Sequence, residues 1–399
     1  MTSEAQVDVA IVGGGIAGLW LLARLRHAGF SCVLCEGHAL GPGQTVASQG
    51  IIHGGTKYSL TGKLSGAAEA IGAMPGIWRA ALQGQGEPDL SRATILSEHQ
   101  YLWTTESLGS KLTGFFAGKA MKARMQPLQR DRHPEPFAER AFHGSLYQLD
   151  EPVLDTRTLL SAFSDAYADS LLHIDPNAVR LEIGDDGVRM AVRAPSGEQL
   201  SLRARRVILT AGAGNEALAR ALPAAAAPMQ RRPLQMVMVR GELPALYAHC
   251  LGVSANPRAT ITSNRDRAGR QVWYVGGQVA EIGANRTHDE QLHAAHAELA
   301  EILPWVDLAH TEWATLRVDR AEGRQPGGHR PDLPVLNWSG PVGVAWPTKL
   351  ALAPRLAEMV MDGLGLDTPT QAEGLPGLDE WPRPEVAPYP WDVEGRTWS

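Results

Sequence analysis

Residues Val7–Glu36, VDVAIVGGGIAGLWLLARLRHAGFSCVLCE, decide the fold. The apolar run Val7–Val12 predicts a strand, and Gly13-Gly14-Gly15 ends it. Ile16–His27 predicts a helix, because Leu19, Leu22, Ala23 and Leu25 recur on a helical period. Gly29 closes that helix, and Ser31–Glu36 predicts a second strand. Strand, glycine turn, helix and strand form a βαβ unit, so the fold class expected is α/β with a Rossmann-type domain. The pattern Gly13-x-Gly15-x-x-Gly18 falls on the turn, and Glu36 ends the second strand. Each residue type has a task there. Gly13 permits the tight turn, Gly15 lets the backbone approach a pyrophosphate, and Gly18 lets helix and strand pack closely. The helix N-terminus, at Ile16 and Ala17, offers backbone N–H groups and partial positive charge to phosphates. Glu36 can accept hydrogen bonds from ribose hydroxyls. The unit therefore reads as a dinucleotide site.

The bulk properties fit that reading. The 399 residues make about two to three domains' worth of chain, and 44% are hydrophobic, enough for a sizeable core. A formal net charge of −6 argues against a general nucleic-acid binder. Three cysteines, Cys32, Cys35 and Cys250, are too few for a disulfide framework, so a reducing compartment is expected. Cys32 and Cys35 have C-x-x-C spacing, but inside an apolar strand they read as small buried hydrophobes. The sequence shows neither a secretory pattern nor an uncharged apolar run of about 18 residues, so no transmembrane segment is expected. The cytoplasm is the expected location, with peripheral membrane contact left open.

Further along, Ile95–Thr104 predicts a strand, and Leu108–Ala123 and Asp155–Ser170 predict helices. Ala178–Ile183, Val188–Ala194 and Leu200–Leu209 predict a meander. Leu234–Val239, Ala259–Thr262, Gln271–Val275 and Ala314–Val318 predict a β-rich block that includes a helix at His288–Leu303. Val342–Ala345 and Leu350–Leu364 predict a last strand and helix. Beyond Asp367, prolines break any period, and Trp381, Trp391 and Trp398 predict an extended arm packed through its tryptophans. The expected division is a discontinuous nucleotide domain of residues 1–85, 145–220 and 325–370. A β-rich α+β substrate domain would take 86–144 and 221–324, and the arm 371–399. The ligand cleft is expected between the two domains.

Four segments carry a resemblance: Val9–Glu36; Ser48-Gln49-Gly50-Ile51-Ile52-His53-Gly54-Gly55 with Tyr58 beyond it; Arg206–Gly214 (RVILTAGAG); and Trp346–Glu358 (WPTKLALAPRLAE). Together they resemble the D-amino-acid oxidase-like superfamily of FAD-dependent oxidoreductases. The second is similar to the serine-to-HGG stretch of aerobic glycerol-3-phosphate dehydrogenases and to the IHAG stretch of L-2-hydroxyglutarate dehydrogenases. The fourth is similar to G-G-K-x-T-T-Y-R-x-M-A-E of the former, with Lys349, Ala357 and Glu358 on matching positions. Trp346-Pro347-Thr348 replaces the usual glycines, and Leu350-Ala351-Leu352 lacks the paired threonines, so the glycerol-3-phosphate assignment does not follow. The resemblance implies FAD. The contacts it implies are Gly13, Gly15, Ile16, Ala17, Gly18, Glu36, Thr45, Ser48, Gln49, Gly50, Ile52, His53, Ala211, Gly212, Trp346, Pro347, Thr348, Lys349 and Leu350.

It also implies hydride transfer to the flavin from a small amine, amino acid or hydroxy acid. His53 is the leading catalytic candidate, since imidazole suits proton transfer near neutral pH. A positioning role and a covalent flavin link stay open beside it. Arg317 is expected to pair with a substrate carboxylate through two parallel hydrogen bonds, with Arg320 competing. Lys349 is expected near the flavin or the substrate, and Arg258, Arg265, Arg267 and Arg270 on a solvated face. A flavin monooxygenase is the second reading, disfavoured because Gly343-Val344-Ala345-Trp346 stands where a G-D-A-x-H element would and no second GxGxxG exists for NADPH. A non-catalytic flavin-binding partner protein is the third. The expected partners are a small-molecule substrate, with acidic character left open, and an acceptor that is oxygen, a quinone or an electron-transfer protein. Neither nucleic acid nor a metal ligand set is expected, and the oligomeric state is open.

Overall fold

In the computed structural model, Val7–Val12 is the inner part of a longer strand, Thr2–Val12. The residues described are 2–54, 66–106, 125–184, 186–222, 228–254, 256–366, 368–369, 378 and 380–399. Gly55, Tyr58 and the expected helix at 108–123 lie outside them. Thr2–Val12 sits at the middle of an eight-stranded sheet. It pairs in parallel with Gln199–Leu209 on one side and Cys32–Glu36 on the other. Val342–Trp346 continues the parallel order beyond Gln199–Leu209, and Leu171–His173 beyond Cys32–Glu36. Residues of these strands are buried on both faces, the environment that favours a continuous apolar run over alternation. Asp8 is a fully buried acid among them. Its carboxylate accepts hydrogen bonds from the Ser31 N–H and hydroxyl, both 3.0 Å, and from Arg205. That fixes the entry to the second strand, which begins at Cys32.

The helix Ile16–His27 lies on one face of this sheet. Its Trp20 meets Trp78 of the helix Gly66–Leu82 at 4.5 Å and Phe163 of the helix Thr156–Ala166 at 6.2 Å. Asp155 caps the last of these, accepting from the Arg157 and Thr158 N–H groups at 2.9 Å each. The helix expected from Leu350 opens instead with a 3₁₀ turn, Leu350–Leu352, and becomes α-helical at Ala353–Gly363. Pro354 has no N–H to give and fits only the first turn of an α-helix.

The second sheet is also eight-stranded and mostly antiparallel. Its order runs Glu312–Gly323, Met229–Gly241, Gln271–Gly276, Ala259–Arg265, Ala248–Cys250, Gln100–Trp103, Leu146–Leu149, Met125–Pro127. The helix His288–Ile302 covers one face, started by a capping box between Thr287 and Glu290. Two expectations need correction. The strand expected over Ile95–Thr104 is two, because Ser97 donates to the His99 carbonyl and turns the chain there. Leu146–Leu149, placed by sequence in the nucleotide domain, joins the second sheet as the antiparallel partner of Gln100–Trp103.

Cys32 and Cys35 are buried and belong to different core clusters, so no disulfide joins them. Burial pushes both thiols, and that of Cys250, up to about 12. A thiolate-seeking reagent at pH 8 is therefore expected to label none of the three until denaturant opens the fold. Rapid labelling of the native protein would contradict the burial. Among the described residues no helix is long and apolar enough to cross a membrane.

Candidate active site

The glycine turn has room for backbone only. Gly13 has φ +114°, and a Cβ there would lie 2.6 Å from the Ala211 Cα. A Cβ on Gly18 would lie 2.1 Å from the Gly13 carbonyl oxygen and 2.7 Å from the Thr210 Oγ1. Gly15, the N-cap of Ile16–His27, has no side chain to give to the terminus, and the first turn carries no acid, so the terminus suits an anion. The Ile16 N–H reaches Thr45 Oγ1 at 3.1 Å. Glu36 accepts from the Gly14 N–H at 2.5 Å and the His38 N–H at 2.9 Å.

A cleft of about 1230 Å³ starts at this turn. Sixteen of the nineteen expected cofactor residues line it: Gly13, Gly15, Ile16, Ala17, Glu36, Thr45, Ser48, Gln49, His53, Ala211, Gly212, Trp346, Pro347, Thr348, Lys349 and Leu350. Gly18, Gly50 and Ile52 do not. Gly18 serves helix packing. Gly50, at φ +69°, sits where a Cβ would lie 2.1 Å from the Leu154 carbonyl oxygen. Ile52 is fully buried, and its N–H donates to Pro152 at 2.9 Å. Ile51 and His53, on either side of Ile52, line the cleft. Gln49 ties this segment to the second sheet, donating to the Thr260 and Tyr274 carbonyls at 2.9 Å each.

His53 Nδ1 lies 3.2 Å from Glu151 Oε2, and the Gly54 N–H donates to Glu151 Oε1 at 2.8 Å. His249 stacks on His53 with ring centroids 5.9 Å apart. Its Nδ1 is 2.8 Å from Thr260 Oγ1. Glu151 keeps 5% of its side-chain surface exposed and His53 37%, the latter facing a cleft whose walls still enclose the ring. Burial lowers the pKa of His53; Glu151 opposes this, while the Lys349 and Arg330 charges reinforce it. Burial alone would raise Glu151, but the hydrogen bond and charge of His53, the charge of His249 and the Gly54 N–H together hold it down at about 2. Glu151 and His249 escaped the sequence reading. One is a single acid in a short connection, the other a single imidazole in the three-residue strand Ala248–Cys250.

Arg317, Arg320, Arg330 and Lys349 all line the cleft. Arg317 turns its guanidinium onto the Ala284 and Arg286 carbonyls, at 3.2 and 2.6 Å. Arg320 donates to the Arg232 carbonyl at 3.1 Å and lies 3.7 Å from Glu281. Burial, helped by the Arg232 and Arg330 charges, lowers its pKa to about 10. Of the arginines expected on a solvated face, Arg258 pairs with Glu298 and Glu301, and Arg270 with Asp266 and Glu312.

The sequence profile described as DAO, FAD dependent oxidoreductase, matches residues 8–345. A probable FAD-dependent oxidoreductase of Pseudomonas aeruginosa is 47% identical over 397 residues, covering 98% of this chain and 99% of that protein. The chain belongs to the DAO family of FAD-dependent oxidoreductases. The crystal structure of the Pseudomonas oxidoreductase matches this DAO-family enzyme with a TM-score of 0.82 at 42% identity, covering 98% of this chain and 99% of that one. Glycine oxidase from Geobacillus kaustophilus shares the fold, with a TM-score of 0.63 at 17% identity over 90% of this chain and 94% of its own. A glycerol-3-phosphate dehydrogenase of P. aeruginosa is 47% identical over 51 residues, 13% of this chain and 10% of that protein.

The residues fit FAD. The turn at Gly13 excludes a Cβ, the first turn of the helix carries no acid, and the same cleft continues to His53. The family enzyme departs from the usual glycines at Thr348, whose φ is +68°, an uncommon conformation for a β-branched residue. Its hydroxyl donates to the Leu333 carbonyl at 2.9 Å, and the Lys349 N–H donates to Pro347 across the turn at 2.7 Å. Thr348→Val keeps the strain and removes the anchor. It is expected to lower stability by about 1–2 kcal/mol in urea unfolding of the holoenzyme. An unchanged midpoint would show that the Leu333 contact does not hold the turn.

Proposed function

We propose that this oxidoreductase oxidises a small α-hydroxy or α-amino acid, with His53 accepting the proton from the substrate's O–H or N–H group. The observation that carries this reading is the His53–Glu151 pair on the cleft wall. Glu151, held ionised, can only accept a hydrogen bond, so His53 Nδ1 carries the proton and Nε2 keeps its lone pair. A neutral imidazole held in one tautomer is a general base. FAD, when bound, supplies the two-electron acceptor for the substrate's C–H hydride. A hydroxyl needs such a base more than an amine, which reacts once neutral; the pair therefore favours the hydroxy acid.

The cations support an acidic substrate. Arg320 is drawn from water beside Arg232 and Arg330, and an anion in the cleft would offset that repulsion. Arg317, Arg320 and Arg330 each meet backbone carbonyls through part of the guanidinium and still line the cleft. The deciding experiment is anaerobic mixing of the purified holoenzyme with a panel of α-hydroxy acids and α-amino acids. Loss of the oxidised flavin band with at least one member is expected, and no bleaching by any member overturns the donor class. Adding oxygen, a quinone or an electron-transfer protein to the bleached sample then identifies the acceptor.

A further inference from the structure

The C-terminal arm shares the walls of the cleft. Pro388, Pro390, Val393 and Arg396 line it together with the glycine turn and His53. We propose that this arm is a working part of the cofactor site: a proline-stiffened clasp, latched by Tyr389, that sets how long FAD stays bound.

The near half of the arm is fastened to the nucleotide sheet. Trp381 Nε1 donates to the His173 carbonyl at 2.9 Å, and the His173 N–H donates back to Pro382 at 2.8 Å. The Leu40 N–H donates to the Glu385 carbonyl at 2.7 Å, and the Ala387 N–H to the Leu40 carbonyl at 3.1 Å. Leu40 buttresses the phosphate turn. Its side chain fills the space where a Cβ on Gly14 would lie, 2.6 Å away, and the next residue, Gly41, donates its N–H to the Gly14 carbonyl at 3.0 Å. Two backbone hydrogen bonds therefore join the arm to Leu40, which packs against the turn that would hold the pyrophosphate.

The far half is fastened to the second sheet. Tyr389 stacks on Trp391 at 4.4 Å, and Trp391 meets Tyr274 edge-on at 5.6 Å. Tyr274 donates its hydroxyl to the Ala47 carbonyl at 3.0 Å, next to the cleft-lining Ser48 and Gln49. Arg396 donates to the Thr315 carbonyl at 3.2 Å, and Ser399 exchanges two backbone hydrogen bonds with Trp313 at 3.0 and 2.9 Å. Between the halves, Tyr389 donates to Asp155 Oδ1 at 2.6 Å. The run Trp381-Pro382-Arg383-Pro384-Glu385-Val386-Ala387-Pro388-Tyr389-Pro390-Trp391 spans the gap with four prolines. Fixed φ angles make such a segment stiff, so release at one end loosens the other. The arm thus lines the cleft and bridges both sheets. A merely decorative tail would rest on one surface and leave the phosphate turn alone.

The test uses the full-length holoenzyme. Tyr389→Phe keeps the stack and leaves Asp155 capping its helix, but removes a hydrogen bond to a carboxylate. FAD release, followed by the rise of free-flavin fluorescence well below the melting temperature, is expected to quicken about tenfold or more. Trp391→Leu, which removes the stack, is expected to do the same. Circular dichroism should stay at wild type, and added FAD should rebind. Wild-type release rates in both variants overturn the proposal. Hydrogen exchange needs no variant: the Leu40 and Ala387 amides are expected to exchange more slowly in holoenzyme than in apoprotein. Equal protection in the two forms also overturns it.

Discussion

His53→Asn is expected to lower kcat/KM for the substrate found in the bleaching panel by about a hundred- to ten-thousand-fold, the usual weight of a positioned general base. The loss should fall on kcat more than on KM, and FAD should stay bound, because Asn removes a proton acceptor and leaves the rest of the cleft in place. The pH profile gives the sign. Burial and the nearby Lys349 and Arg330 charges lower the pKa of His53 below its ordinary 6.5, so the basic form is present at neutral pH. Wild-type kcat/KM should therefore climb with pH along a limb centred below 6.5 and then level off. Glu151 works against that lowering. Glu151→Gln should move the limb to still lower pH and lower the plateau, since a weaker base remains. A limb that moves upward, or His53→Asn with full turnover, removes the pair from the mechanism. Flavin that stays in the acid-precipitated pellet of wild type but not of His53→Asn would reassign His53 to a covalent link.

Gly18→Ala should abolish stable FAD binding. One methyl group would meet a backbone oxygen at 2.1 Å and a hydroxyl at 2.7 Å, and backbone cannot step aside as the tip of a flexible side chain can. Thr210 Oγ1 is itself fixed by the Val12 and Gly13 carbonyls at 3.2 and 2.9 Å. The helix must lift from the strand, at a cost of about 3 kcal/mol or more, and its N-terminus moves off the phosphate position. Gly43→Ala is the control. It lines the same cleft, yet a Cβ there meets nothing within 4 Å. The expected outcome is a colourless or sharply destabilised Gly18→Ala protein beside a yellow Gly43→Ala protein of wild-type stability. A Gly18→Ala variant that binds FAD normally would mean that the helix is not held against the turn as described.

What could be read in the sequence was local and periodic. The helix Ile16–His27 agrees to the residue, because its apolar period starts at a glycine turn and stops at one. The helix expected over Asp155–Ser170 is α-helical over Thr156–Ala166, with Asp155 as its N-cap. The strand Thr2–Val12 was longer than its apolar part, since Thr2–Gln6 follow the pairing of Gln199–Arg203 and not a pattern of their own. The site was legible only where one segment supplies it. Glu151 meets His53 across 98 positions, and neither residue carries a mark that announces the other. The orientation of Arg317 depends on two carbonyls some thirty residues away. Gly50 and Ile52 stand among cleft-lining neighbours, yet Gly50 is pressed against the Leu154 carbonyl and Ile52 is buried in the core, packing that a short motif does not announce.

The placement of Thr2–Val12 at the middle of its sheet has a consequence for biosynthesis. Its two strand neighbours lie at Cys32–Glu36 and Gln199–Leu209, and the sheet reaches Val342–Trp346 beyond them. At about 5–20 residues per second, roughly 20–70 s pass between synthesis of the glycine turn and of the last parallel strand. The edge of Thr2–Val12 that Gln199–Leu209 covers stays open until that strand is made, and the outer edge of Gln199–Leu209 then stays open until Val342–Trp346 arrives. The cleft wall at Trp346–Leu350 does not yet exist. The complete cleft is therefore formed only once the late segments have been made.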